Sequence, residues 1–217
     1  MEAIIFDMDG VIIDSEPIHY ICSNKMLEPY KIELDREKYD TYIGASCKVM
    51  WEDVRQAHNL KESVEEIISK EFDIFLSYLQ EGKGKIQPIE GIRSLLELLR
   101  KEGVTIGLAS SSSMRNIDTV LDLFDIQDYF TVKVTGYDLE RSKPDPEIFI
   151  KTAGLLNVDP KECIVIEDSK NGVTAAKRAG MKCIGYQNPN CGYQDLSHAD
   201  KIVDSIKNID IAFLKGM

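Results

Sequence analysis

No apolar run in the 217-residue sequence approaches the length needed to cross a bilayer, and Met1-Glu2 lacks the basic stretch that opens a secretory signal. A cytoplasmic protein is the expectation. Basic residues are outnumbered, 26 Lys and Arg against 37 Asp and Glu, for a net charge of −11. Bulk electrostatics of that sign repel nucleic acid and anionic membrane surfaces, so neither is expected as a partner, and an anionic substrate would need local groups to overcome the field. Cysteines are few and scattered: Cys22, Cys47, Cys163, Cys183 and Cys191 are odd in number and show no paired metal-ligand spacing. This excludes a zinc module or a disulfide scaffold and fits a reducing compartment. Internal repeats and low-complexity segments are also lacking.

What is present, 43% hydrophobic and 29% charged residues, belongs to a globular protein long enough for one sizeable domain or a core with a smaller insertion. The most informative stretch is the beginning, Ala3-Ile4-Ile5-Phe6-Asp7-Met8-Asp9-Gly10-Val11. An apolar segment of strand length ends in two aspartates and a glycine, which reads as a buried strand presenting carboxylates at its C-terminal end, where open α/β sheets bind ligands. Two other readings stand beside it. Asp and Gly form ordinary turns, and paired acids with glycine occur in calcium loops, although Met8, Val11 and Ile12 fall where such a loop needs oxygen ligands.

From Ser15 to about Gln80 only helical periods are found, including a stripe of Ile67, Ile68, Phe72, Phe75, Leu76 and Leu79 read as core packing. Pro17 suits a first helical turn behind Ser15 or Glu16, and Ser46 can cap a helix carrying Val49, Trp51 and Val54. Glu81-Gly82-Lys83-Gly84-Lys85 is the one strong linker candidate. Beyond it strands and helices alternate: a helix over 89–101, strand 104–109, helix 114–123, strand 130–134, helix 146–156, strand 163–166, helix 170–179 and strand 182–186. Such alternation predicts an α/β fold, a doubly wound parallel sheet, with an all-helical block inserted after the first strand. The expected domains are residues 1–14 plus 86–217 as the core and 15–85 as a helical cap.

Each later strand also stops at polar residues. One ends in Ser110-Ser111-Ser112-Ser113, hydroxyls and amides that can hold a phosphate or simply cap the next helix. Another leads to Ser142-Lys143-Pro144-Asp145-Pro146, where prolines stiffen the segment bearing Lys143, a cation able to neutralise a phosphoryl or carboxylate oxygen if it is more than a solvated surface charge. A third delivers Glu167-Asp168-Ser169, which could cap a helix or, facing Asp7 and Asp9, form a cluster of like charges that needs a cation. Oxygen ligands without His or Cys favour Mg²⁺.

With these four segments in order, the sequence resembles the haloacid dehalogenase superfamily, in particular its phosphatase and β-phosphoglucomutase-like group with a helical cap. The resemblance covers nearly the whole chain. It implies Asp7 as a nucleophile forming an aspartyl-phosphate and Asp9 as the acid and base for the leaving oxygen and the incoming water. It further implies Mg²⁺ held by Asp7, the backbone carbonyl of Asp9, Asp168 and, directly or through water, Glu167. Ser110 and Lys143, with the amides of Met8, Asp9 and Ser111, would hold the phosphoryl oxygens. A proton-donating Asp9 suits departure of an alkoxide rather than a halide, so the substrate expected is a small phosphorylated metabolite. The cap would close as a lid and carry specificity, with His19, Ala45, Lys48 and Trp51 as candidates and neutral packing as the other possibility for His19. Members of the group are often monomeric, and a monomer is expected here.

The chain departs from the mutase pattern where Cys47 stands in place of the arginine that grips a second phosphate, and where Ser112-Ser113 follows the second motif in place of Lys-Asn. Lys48 is adjacent but lacks the guanidinium fork. A phosphatase is therefore expected, with a sugar-phosphate mutase as the alternative. A non-catalytic binding protein on the same fold should have lost an acid at position 7, 9 or 168, and none is missing.

Overall fold

The computed structural model describes residues 1–43 and 47–217. Ser46 as a helix cap and Ala45 as a lid contact lie outside the described residues. Strand β1 (Ala3–Phe6) sits at the centre of a parallel sheet of order β3-β2-β1-β4-β5-β6. The other strands are β2 (Thr105–Ser110), β3 (Val132–Thr135), β4 (Cys163–Glu167), β5 (Lys182–Tyr186) and β6 (Lys201–Val203). Ala3 is in register with Thr105 on one side and Cys163 on the other, and Phe6 with Leu108 and Ile166. The order of the strands reverses between β1 and β4, so the crevice at their C-terminal ends is the topological switch point.

Period-two alternation in β1 explains why it is central. Ile4 and Phe6 pack into one cluster with Leu95, Leu96 and Leu99 of α5 (Ile92–Lys101) and Ile117 and Leu121 of α6 (Met114–Phe124). Ala3 and Ile5 pack into the opposite cluster with Phe149 of α7 (Glu147–Leu156) and Val173 and Ala176 of α8 (Lys170–Arg178). Buried on both faces, Ile4, Ile5 and Phe6 contribute roughly 1.5–3 kcal/mol each, which anchors the strand that carries the carboxylates. The chain closes with α9 (Ile211–Lys215).

Between β1 and α5 lie α1 (Glu16–Leu27), α2 (Arg36–Asp40), α3 (Cys47–His58) and α4 (Val64–Glu81). The inserted helical block is thus present. Helix α4 is set by a capping box in Ser63-Val64-Glu65-Glu66: the Ser63 hydroxyl accepts from the Glu66 N–H, and the Glu66 carboxylate accepts from the Ser63 N–H. It packs on α1, α3 and α6. Trp51, Ile67 and Leu27 form a cluster within the block, whereas Ile18, Cys22, Phe75 and Leu79 join the core cluster of β1.

Several boundaries differ from the sequence reading. The third strand is Val132–Thr135 rather than 130–134, because Phe130 ends a 3₁₀ turn that carries the chain into the sheet. Strand β6 and helices α2 and α9 have too few residues to show a period. Ser15 precedes α1 in helical conformation, buried and without a capping bond; Pro17 in the first turn needs no donor. The stripe on α4 divides: Ile67, Phe75, Leu76 and Leu79 are buried, while Ile68 and Phe72 face a cavity. Among the described residues no helix is long and apolar enough to cross a membrane.

Candidate active site

Four strand ends converge at the switch point. Asp7 leaves β1 directly, its N–H donating to the Ile166 carbonyl at 3.0 Å, which fixes it beside the end of β4. Glu167 is the last residue of that strand, and Asp168 follows. One carboxylate oxygen from each of Asp7, Glu167 and Asp168 lies within 4.8 Å of the others, and all three residues are buried. Two glycines permit this density. A Cβ on Gly10 would lie 2.0 Å from Asp168 Oδ2, and Gly10 also holds φ +76°, a conformation natural to glycine. A Cβ on Gly172, in the first turn of α8, would lie 1.7 Å from Glu167 Oε1.

Lys143 is inserted among these acids with its side chain 8% exposed. Its Nζ donates to Asp7 Oδ1 and Glu167 Oε1, both at 2.6 Å, and to the Ala109 carbonyl at 3.3 Å. The other Glu167 oxygen accepts from the N–H and hydroxyl of Ser169, both at 2.9 Å. Ser169 also caps α8, its hydroxyl accepting from the Gly172 N–H. Glu167 is therefore fully engaged by protein donors, while the buried Cys191 sulfur and the Asp168 carboxylate lie together against Gly10.

The electrostatics follow from burial. Desolvation first, against the pull of Lys143 and reinforced by Glu167, Asp168 and Asp9, holds the Asp7 carboxyl well above the usual carboxylate range. Burial, then Glu167, pushes Asp168 up to about 7. Burial alone would lower the Lys143 ammonium, but Asp7 and Glu167 outweigh it and raise it. Three acids share one lysine, so negative charge remains in excess. A divalent cation would relieve that repulsion, and the carboxylate-only donor set fits a hard ion such as Mg²⁺.

Asp9 turns the other way. Its Oδ2 accepts from the Ser112 hydroxyl at 2.8 Å and from the buried Ser110 hydroxyl at 3.4 Å, and its Oδ1 is buried without a hydrogen-bond partner. Ser110 ends β2, and its Oγ accepts from the Ser112 N–H at 3.0 Å. Ser111 is exposed, and Ser113 serves α6 as its cap. The Met8 side chain is fully buried, which leaves only its backbone to face a ligand; its carbonyl already accepts from Ile12 and Ile13.

The structure thus brings Asp7, Glu167, Asp168 and Lys143 together, and Asp9 with Ser110. The helical candidates separate. His19 stacks on Phe75 with ring centroids 4.4 Å apart and lines a cavity of about 230 Å³ between α1, α3 and α4, with Glu16, Cys47, Glu71 and Phe72. Lys48 forms an exposed ion pair with Glu65 at 2.9 Å. Trp51 is fully buried and belongs to the core of the block, correcting its place among the substrate contacts; its indole N–H reaches Glu71 at 2.8 Å.

Three contacts were not read from the sequence, although Ser112 stood in the serine run considered there. Ser112 bonds Asp9, buried Asn188 donates from Nδ2 to the Gly10 carbonyl at 2.9 Å, and Cys191 touches Asp168. Asn188 follows the end of β5, so the strand-end rule applied to that strand would have found it. Nothing in local spacing marks Cys191.

The model of the haloacid dehalogenase-like hydrolases matches residues 4–186. A phosphorylated carbohydrates phosphatase of Thermotoga maritima is 32% identical over 188 residues, 85% of this chain and 84% of that protein. A β-phosphoglucomutase of Bacillus subtilis is 33% identical over 196 residues, 85% and 83% of the two chains. The solved structure of a β-phosphoglucomutase from Clostridium difficile superposes with a TM-score of 0.82 at 29% identity, covering 100% of this chain and 96% of that one.

Proposed function

The chain belongs to the haloacid dehalogenase-like hydrolases, and from that premise we propose that it is a Mg²⁺-dependent phosphatase that hydrolyses a small phosphate monoester, a phosphorylated carbohydrate or a close relative of one. The observation that carries the proposal is the grouping of Asp7, Glu167 and Asp168 around one point, with Lys143 bonded to Asp7.

In this reading Asp7 attacks phosphorus in line. The P–O bond to the alcohol breaks, an acyl phosphate forms on Asp7, and Asp9 gives its proton to the departing oxygen. Asp9 then takes a proton from water as that water attacks phosphorus, which releases inorganic phosphate and frees Asp7. Ser112 and Ser110 orient the Asp9 carboxyl through its Oδ2, leaving Oδ1 for the proton transfers. Lys143 balances charge on Asp7 and the incoming phosphoryl oxygens. Asp7, Asp168 and the Asp9 carbonyl would hold Mg²⁺, with Glu167 fixed by Lys143 and Ser169 as the outer member. Bound there, Mg²⁺ supplies the positive charge that lets a carboxylate and a phosphate dianion approach. Residues 15–85 act as the lid and 1–14 with 86–217 as the core.

Relatives include both phosphatases and a mutase, and the pocket favours the former. A mutase must grip a second phosphate, yet among the described residues that line the cavity none is Lys or Arg, while Glu16 and Glu71 are both there. The test is incubation with Mg²⁺, β-glucose 1-phosphate and a trace of the 1,6-bisphosphate. Release of inorganic phosphate is expected; glucose 6-phosphate formed faster than free phosphate reverses the assignment. Beryllium fluoride should bind Asp7 only with Mg²⁺ present, and binding without metal contradicts the site.

A further inference from the structure

Gly10 lies where the catalytic loop meets the acid cluster, and the crowding there leaves no room for a side chain. A Cβ would stand 2.0 Å from Asp168 Oδ2 and 2.9 Å from Cys191 Sγ. Glycine solves the packing and creates another difficulty. Its backbone is the freest of any residue, and here it directly follows Asp9, whose carbonyl would hold Mg²⁺ and whose carboxyl would move the protons. Something other than a side chain on Gly10 must keep this part of the loop in one conformation.

The two peptide planes that meet at Gly10 are held separately. In the first, the Gly10 N–H donates to the Ile13 carbonyl at 2.8 Å, and because a trans peptide is planar the Asp9 carbonyl points the opposite way. In the second, the Val11 N–H reaches the Met8 carbonyl at a longer 3.3 Å, and the Gly10 carbonyl accepts from Asn188 Nδ2 at 2.9 Å. Asn188 is 5% exposed, and among the described residues it is the one donor to that carbonyl. Its aim is set by its own turn. Asn188 Oδ1 accepts from the Asn190 N–H at 2.8 Å, an Asx turn over Asn188-Pro189-Asn190 that leaves the other end of the amide for Gly10.

The loop that carries Asn188 also reaches the other segments of the site. Asn190 Nδ2 donates to Asp14 Oδ2 at 2.6 Å, at the far end of the catalytic loop. The Gln194 side chain donates to the Cys191 carbonyl at 3.3 Å and accepts from the Lys170 N–H at 3.2 Å, just past Asp168. We propose, resting on the phosphatase reading above, that residues 188–194 brace the metal site and that Asn188 is a positioning residue, acting through the Gly10 carbonyl to keep Asp9 in place. A buried carbonyl needs a donor wherever it lies. This one belongs to a residue with no side chain to hold it, next to a carbonyl that would bind the cation.

Two variants test this. Asn188→Ala removes both side-chain bonds, whereas Asn188→Asp keeps the acceptor for Asn190 and loses the donor to Gly10. Mg²⁺ binding is measured by calorimetry without substrate, and kcat and KM for a generic phosphate ester at saturating Mg²⁺. Both variants should bind Mg²⁺ about tenfold more weakly, the scale set by residues that support metal ligands. An added carboxylate by itself tightens a cation, so weaker binding by the aspartate variant reads the missing donor. Lower kcat with KM unchanged is expected alongside, the pattern of an interaction lost in the transition state. The Mg²⁺-induced stabilisation, read by melting within each protein, should shrink by the equivalent ~1.4 kcal/mol, which a general loss of stability does not produce. Native Mg²⁺ affinity in either variant overturns the proposal, and with esters still hydrolysed it leaves the phosphatase standing. Weakened Mg²⁺ binding in the variants of a protein that hydrolyses no phosphate ester does the reverse.

Discussion

Two groups of carboxylates, one at the strand ends and one in the helical block, are stabilised in different ways. At the sheet edge Asp7 and Glu167 share the ammonium of Lys143 beside Asp168, with a net negative charge left for a metal ion. In the helical block Glu71 is held by a hydroxyl and an indole and half-buried Glu16 by a phenol, with His19 acting on Glu16 from the same cavity. The first arrangement is suited to phosphoryl transfer, because cations must approach the phosphate there. The second is suited to holding the helical block together, because Ser23 of α1 and Trp51 of α3 both bond Glu71 of α4.

The sharpest way to break this division is at Asp7. Asp7→Asn should lower phosphate-ester hydrolysis by at least about a thousandfold, because the amide is no nucleophile; steady-state turnover near the native rate would discard the assignment. Removing divalent ions with EDTA comes next. It should cost about a hundredfold or more, the equivalent of several kcal/mol of charge stabilisation, with recovery on adding Mg²⁺, and full activity in chelator would dismiss the cation from the acid cluster.

A smaller effect is expected at Ser112, whose hydroxyl holds Asp9 at 2.8 Å. Ser112→Ala should lower kcat by about tenfold, in line with the loss of a hydrogen bond to a charged group, while Ser112→Thr restores it. A threonine variant as impaired as the alanine one would show that the hydroxyl does not orient Asp9. The smallest effect tests the helical side. Trp51→Phe keeps the ring but removes the donor to Glu71, and should cost about 1–3 kcal/mol, which thermal melting reads at about 2–4 °C per kcal/mol for a chain of this size. An unshifted melting temperature would mean that Glu71 does not depend on the indole.

The sheet-edge site was legible because each of its residues ends a strand. Asp7, Ser110 and Glu167 follow apolar runs, and in a parallel sheet with right-handed crossovers all such ends must emerge on the same side. The order of strands needed no separate evidence for that conclusion. Lys143 was legible through its prolines, although its placement between Asp7 and Glu167 was not.

What the sequence by itself determined, then, is the alternation that makes a doubly wound core, the helical insertion, and the polar residues at the ends of its strands, since these depend on local period and chain order. Only the tertiary structure decided that Ile68 and Phe72 line a cavity, that Trp51 is buried as support for Glu71, and that Ser112 bonds Asp9 and Asn188 the Gly10 carbonyl. Helical periodicity says which residues share a face but not what that face meets. The partners of Glu71 come from α1 and α3, 48 and 20 residues away along the chain, and only packing brings them together.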